Sequence, residues 1–375
     1  MRAQGTKPAS SYIPGLDGIR AIAFLLVFWA HGTPGPVSRY IPATLGVTIF
    51  FFLSGFLITT LLRKEVARTG TISLRDFYIR RTIRILIPLY IVYAMAVPFA
   101  HYILHGFAGN LRGALSVMFY YYNYSIFLNW NALPPMGLDV VWSLCVEEHF
   151  YILFPLVYLT MMRRRISAKR QTQFLLALCG LELVWRYVLL LVLHKNDMWT
   201  YAATDARFDS ILWGCVLALR NNPVLGDRSI LPRGREKLAF AAAVVGMVCT
   251  LLPAGHLYRF TLRYTVQAMC LYTIFSFVIP HIRHWSVSWL EWTPVRYIGW
   301  ISYILYLSHK LFLEATEQWF PDRLWISAPL GLALAIGFAS LMRYSVELPL
   351  QKLRGRFRRV RELDPTAADG HGLVS

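Results

Sequence analysis

The stretch LDGIRAIAFLLVFWAHG, residues 16–32, puts an arginine and a histidine on one apolar segment, Arg20 near its start and His31 near its end. Hydrocarbon penalises ionisable groups by several kcal/mol unless they find partners, so both are functional candidates by default. On a helix rising about 1.5 Å per residue, the two groups lie about 16 Å apart, about half of a hydrocarbon core of roughly 30 Å. One end of this segment offers a cation. The other, from mid-membrane to outer depth, offers a base.

The rest of the chain agrees with a membrane reading. Of its 375 residues 56% are hydrophobic and 15% charged, against roughly 25% charged in soluble domains. We therefore expect an all-α, polytopic membrane helical bundle. Its formal net charge of +18 must sit in loops and ends, where it sets topology and attracts anions. The partner expected for these basic segments is the lipid bilayer and not nucleic acid; oligomeric state is not legible. Cys145, Cys179, Cys215, Cys249 and Cys270 all fall in or beside apolar runs without a CxxC pair, so they read as small core residues. The basic N-terminus before the first run mimics a signal peptide but lacks an A-x-A site, and we expect it to stay as the first span.

Candidate spans cover 16–33, 45–62, 85–104, 144–162, 173–193, 207–220, 238–253, 261–280, 297–318 and 325–343, which makes about ten transmembrane helices. A tyrosine-rich stretch at 112–128 is shorter and suits an interfacial or re-entrant segment. With both termini cytoplasmic, 28 of the 38 Lys and Arg residues fall inside, six outside and four within spans. That asymmetry is a strong positive-inside signal. Residues 12–350 form the expected membrane domain, and 351–375 a basic, then disordered, cytoplasmic tail.

In this topology His31 shares the outer end of the bundle with the start of WSLCVEEHFY (142–151). Glu147 and Glu148 can then lie at the depth of His31, as a carboxylate that fixes the tautomer of a general base. They point about 100° apart on a helix, so one faces a cavity and the other does not. FYIRRTIRILIPLY (77–90) enters from the cytoplasm, bringing Arg80, Arg81 and Arg84 to the side of Arg20. Arg81 and Arg84 share a helical face, and guanidinium groups bind phosphate bidentately. A cytoplasmic donor with several phosphates and a long arm fits, and coenzyme A thioesters match. Taken alone, a basic cluster beside a span marks topology or a headgroup contact. Tyr120, Tyr121, Tyr122 and Tyr124 read as an interface belt sooner than a sugar platform. Ser54 in FFFLSGF lacks the G-x-S-x-G elbow, and neither a metal-ligand spacing nor a P-loop appears. The expected reaction thus needs a base and an activated donor, without metal.

The order of these blocks resembles the acyltransferase-3 family of integral membrane acyltransferases, which includes membrane domains of O-antigen and peptidoglycan O-acetyltransferases. Arg20 and His31 resemble its Arg-x10-His motif, Arg81 and Arg84 its Arg-x-x-Arg, and WSLCVEEHFYILFP (142–155), starting at Trp142, its Trp-Ser-Leu…Glu-Glu block. TDARFDSILWGCVLA (204–218), ISYILYLSH (301–309) and SVELPL (345–350) continue the likeness. Thr48 and Trp300 depart from the family pattern, which has an acidic residue and a serine there. The resemblance implies transfer of an acyl group, most often acetyl, from acetyl-CoA or another acyl-CoA to a hydroxyl of a carbohydrate or similar acceptor. His31 would be the base, with Glu147 or Glu148 orienting it. Arg20, Arg80, Arg81 and Arg84 would hold the donor. Ser302, Tyr303, His309, Arg207, Asp209 and Trp142 would line the acceptor side. Two other readings stand beside this one: an acyltransferase for a non-carbohydrate small molecule, and a transporter or flippase of a glycan or lipid intermediate. The second would also show intramembrane charges, but no inverted repeat is visible.

Overall fold

The computed structural model describes residues 12–32, 43–128, 130–229, 231 and 233–351. Of the tail expected at 351–375, all but Gln351 lies outside the described residues. Every regular element among them is helical. In chain order these are α1 (Leu16–Gly32), α2 (Ala43–Thr69), α3 (Leu74–Tyr102), α4 (Leu111–Met118), α5 (Tyr122–Ser125), α6 (Trp142–Arg163) and α7 (Ala168–Tyr187). Then come α8 (Asp197–Ala202), α9 (Phe208–Arg220), α10 (Glu236–Cys249), α11 (His256–Phe260), α12 (Leu262–Val278), α13 (Thr293–Trp319) and α14 (Leu324–Met342). α7 and α14 each run on into a π-helical turn, at 188–192 and 343–347.

Among the described residues, five segments are long and apolar enough to cross a membrane: Ala43–Thr69, Leu74–Tyr102, Asp139–Arg163, Ala168–Val192 and Leu324–Gln351. The other five predicted spans fall on α1, α9, α10, α12 and α13. Four of these are short, at 17, 13, 14 and 17 residues. α13 has 27 residues but carries Arg296, Lys310, Glu314 and Glu317. The 112–128 stretch forms no continuous helix; it breaks into α4 and α5.

The described chain divides into two compact units. The first holds residues up to 72, 120–130 and 142–302. Its core is α2, of whose apolar window 78% is enclosed, against 28% for α7. Phe51, Phe52 and Phe56 are fully buried there, with Phe52 and Phe56 set against Phe275 of α12 at 4.8 and 6.0 Å. Two glycines let α2 and α9 meet backbone to backbone: a Cβ on Gly55 would strike the Ile211 carbonyl, and one on Gly214 the Phe52 carbonyl. On the rim, large apolar side chains such as Leu181 and Val184 are exposed. That is the distribution expected where the surroundings are lipid and helix faces need no polar cover.

The second unit holds 73–119, 131–141 and 303 onward. Ser73 caps α3, its Oγ accepting from the Asp76 amide. Phe312 of α13 packs on Phe99 of α3 and Phe338 of α14, at 5.6 and 5.5 Å. Lys310 donates to both oxygens of Asp139, at 2.7 and 2.6 Å, so a charge on an apolar helix finds its partner, as hydrocarbon demands.

The cysteines need one correction. Cys145, Cys179 and Cys215 are buried, but Cys249 is exposed and Cys270 half-buried. α10 is peripheral, with only Ala243 and Met247 buried, so an apolar stretch of sequence is not there a core position.

Candidate functional site

In the first unit, α1 carries Arg20 and His31. Asp17 sits one turn before Arg20 and forms an ion pair with it, Nη1 to Oδ1 at 3.2 Å. Trp300 of α13 donates its indole N–H to the other Asp17 oxygen at 2.6 Å. The tryptophan that departs from the family pattern thus orients the carboxylate that holds Arg20. A Cβ on Gly299 would collide with the Asp17 backbone, so this part of α13 can lie flush against α1. His31 is in the last turn of α1 and half-buried.

Glu147 and Glu148 part as helical geometry requires. Glu148 is buried, and Glu147 is half-buried. Two hydroxyls hold Glu147: Ser54 Oγ donates to Oε1 at 3.1 Å, and Tyr151 Oη stands 3.1 Å from Oε2. Tyr151 is also 2.8 Å from Ser54 Oγ. Tyr151 follows Glu147 by four residues and so sits one turn along the same face. Ser54 comes from α2. Hydrogen bonds to an ionised group are worth about 1.5–3 kcal/mol each, so this network fixes one rotamer of Glu147. Neither hydroxyl was among the predicted site residues. The signal for Tyr151 was its i+4 spacing; Ser54 had none beyond its place in an apolar run.

Arg207 and Asp209 are both fully buried. Asp209 Oδ2 accepts from Arg186 Nη2 at 2.7 Å and from Thr265 Oγ1 at 2.8 Å. Arg207 Nη2 donates to Thr48 Oγ1 at 3.2 Å. Its guanidinium carbon lies 3.9 Å from the centre of the Tyr264 ring and 5.5 Å from that of Phe51. Arg207 Nε and Nη1 have no hydrogen-bond partner among the described residues. A desolvated guanidinium on aromatic faces keeps about 2 kcal/mol of cation–π attraction. Arg186 was visible in the sequence as a charge within a span, but its partner was not. Trp142 is buried between Tyr201 (4.6 Å) and Phe51 (6.4 Å). Ser302 is buried too.

The tyrosine belt is largely structural. Tyr120 and Tyr122 are buried. Tyr124 donates to Asp205 at 2.9 Å. Burial first, and then the negative charge of Asp205, push its phenol up to about 12. His149 Nδ1 meets Thr204 Oγ1 at 2.7 Å, and Asn123 donates to Thr204 Oγ1 at 2.9 Å. The 204–206 turn is therefore fastened from both α5 and α6.

The second unit carries Arg80, Arg81 and Arg84 on the first turns of α3. Arg80 and Arg84 are exposed, and Arg81 is half-buried over the Phe77 ring. Tyr303 donates to the Ile85 carbonyl at 2.8 Å. His309 is fully buried, with Nδ1 2.8 Å from the Tyr306 carbonyl and 3.2 Å from that of Leu305. Carbonyls only accept, so Nδ1 bears the proton and Nε2 of the neutral ring is the acceptor. Among the described residues, no group of three His, Cys, Asp or Glu side chains is placed to hold a metal ion.

An acyltransferase domain family model (Acyl_transf_3) matches residues 13–344. Among curated relatives, peptidoglycan O-acetyltransferase OatA of Listeria monocytogenes is 28% identical over 375 aligned residues, covering 92% of this chain and 57% of the relative. A putative peptidoglycan O-acetyltransferase of Bacillus subtilis, YrhL, is 29% identical, covering 93% and 57%. A putative O-acetyltransferase of Staphylococcus aureus, SACOL0978, is 28% identical, covering 91% and 58%. The chain thus spans a little over half the length of these relatives. No solved structure matches it.

Proposed function

The chain belongs to this acyltransferase family, and from that premise we propose that it moves an acyl group, acetyl first, from cytoplasmic acyl-CoA to a hydroxyl of a cell-envelope carbohydrate. Peptidoglycan, after which two of the relatives are named, is the first acceptor to test. The bilayer is the bacterial inner membrane, crossed about ten times with both termini inside. The charge asymmetry of the loops supports that orientation.

His31 takes the proton from the acceptor hydroxyl. The hydroxyl oxygen then bonds to the acyl carbonyl carbon as the carbon–sulfur bond breaks, and the departing thiolate recovers the proton from the imidazolium. Glu147 is the carboxylate that stabilises this imidazolium, and Glu148 a buried neighbour. Arg80, Arg81 and Arg84 bind the donor phosphates, and Arg20, oriented by Asp17, is a further donor-binding residue. Two exposed guanidiniums on one helix end suit such a group. Arg207, Asp209, Trp142, Ser302, Tyr303 and His309 shape the acceptor side, with the two partnerless Arg207 nitrogens offered to acceptor oxygens.

The observation that most supports this reading is the state of Glu147, half-buried and held by two hydroxyl donors. A merely solvated helix-start carboxylate has no need of such a cradle. The test is labelled acetyl-CoA supplied to proteoliposomes with a peptidoglycan fragment, read as acetylated glycan by mass spectrometry. Wild type gives product and His31→Ala none, at equal expression. Activity of His31→Ala within a few fold of wild type overturns the base. A wild type that carries the glycan across without labelling it favours the transporter.

A further inference from the structure

The turn joining α6 to α7 bears Arg163, Arg164, Arg165, Lys169 and Arg170, and between Glu148 and Glu182 the chain has no carboxylate. Among the described residues none of these five side chains makes a hydrogen bond or ion pair, and all five are exposed. The turn is nevertheless well built. Ser167 Oγ caps α7 by accepting from the Arg170 amide, Gln171 Nε2 donates to the Ile166 carbonyl at 2.7 Å, and the Ile166 amide donates to Met161 at 3.0 Å. Beneath it, α6 and α7 enclose a groove of about 570 Å³, within the range of roughly 300–1,000 Å³ usual for ligand sites. Leu156, Val157 and Phe174 line its apolar wall, and Arg164, Arg170 and Gln171 its mouth. The wall continues into the exposed apolar residues Ile152, Leu153 and Leu181.

We propose that this groove binds an anionic phospholipid, one acyl chain on Leu156, Val157 and Phe174 and the headgroup phosphate between Arg164 and Arg170. Charge complementarity selects the occupant. An uncompensated run of five cations above an apolar slot matches a molecule that is anionic at one end and hydrocarbon at the other. A free phosphate would leave the wall unused, and a neutral lipid would leave the cations unused. Basic pockets between spans at the positive side of a membrane take such headgroups, with about 1 kcal/mol for each Lys or Arg. The site stands apart from the acyl-transfer reading and survives if that reading fails.

The experiment is native mass spectrometry of the full-length protein titrated with phosphatidylglycerol and, separately, phosphatidylcholine of the same acyl chains. Wild type should retain phosphatidylglycerol in preference. Removing both charges with Arg164→Gln and Arg170→Gln should weaken that retention on the order of 25-fold, leaving phosphatidylcholine unchanged. Arg233→Gln with Arg235→Gln, an equal charge loss in another loop, should have no such effect. Leu156→Trp fills the slot while keeping both arginines, and should also release the lipid. Equal retention of the two lipids by wild type overturns the proposal, as does a groove double variant no different from the loop control. Stoichiometric displacement of phosphatidylglycerol by acetyl-CoA would also overturn it, since the groove would then belong to the donor.

Discussion

Asp209→Asn is the sharpest test of the charge arrangement inside the first unit. Asn keeps the shape of Asp but removes the charge that Arg186 Nη2 contacts, at 2.7 Å, with both side chains fully buried. A pair of unit charges about 4 Å apart at an effective dielectric of 20 is worth about 4 kcal/mol. Breaking a buried pair from one side costs about 3–5 kcal/mol, since the remaining ion stays desolvated. Here Arg207, also fully buried, adds a second cation: both guanidiniums lie by Tyr264, at 5.6 and 3.9 Å from its ring centre. At about 2 °C per kcal/mol, the midpoint of thermal unfolding should fall by roughly 6–10 °C. The assay is tryptophan fluorescence on heating, with the protein purified in detergent micelles. Adding Arg186→Met to Asp209→Asn removes the stranded charge and should recover most of the loss. A single variant within about 2 °C of wild type, or a double variant no better than the single, refutes the argument.

Three further outcomes are expected. Ser54→Ala withdraws one donor from Glu147 and should lower kcat about tenfold or more with little change in unfolding temperature; unchanged kcat would mean the hydroxyl does not position the carboxylate. Gly214→Ala drives a methyl into the Phe52 carbonyl and should cost about 1–3 kcal/mol, measured by the same thermal assay. Asp227 lies in the loop after α9. Burial raises its carboxyl, but the hydrogen bonds from Arg63, at 2.7 and 3.3 Å, and from the Asn222 amide, at 3.0 Å, outweigh this and hold it below its ordinary value. A depressed pKa gives stability that is present above the unfolded-state value and lost as pH falls through the folded one. Stability should therefore drop below about pH 4 by no more than about 1 kcal/mol, the pair being partly exposed, and Asp227→Asn should flatten that part of the profile.

The helical class and the placing of most helices were legible because apolar runs of span length have few other readings. The candidate residues were legible where charge breaks such a run, as at Arg20 and Arg207. Their partners mostly were not. Ser54 meets Glu147 across 93 residues and Trp300 meets Asp17 across 283, and no local pattern encodes either pairing. Trp300, noted only as a departure from the family motif, acquires its meaning from that distant carboxylate. Arg20 and Asp17, three residues apart, show the opposite case: the ion pair was within helical reach all along. Span lengths were the weakest part of the reading. α9 has 13 residues where hydropathy alone suggested a crossing, because its neighbours, and not its own length, bury it.

The salt link between α7 and α9 also bears on how the chain enters the bilayer. Arg186 is synthesised 23 residues before Asp209. At roughly 5–20 residues per second on the ribosome, α7 exists for about one to five seconds before its counter-ion is made. Arg186 stands in the last turn of α7, so until its partner is made it opposes release of that helix into lipid, by less than the roughly 2.5–3.5 kcal/mol of an arginine at a helix centre. Pairing with Asp209 removes that opposition once α9 has emerged, which ties the settling of α7 in the membrane to the arrival of α9.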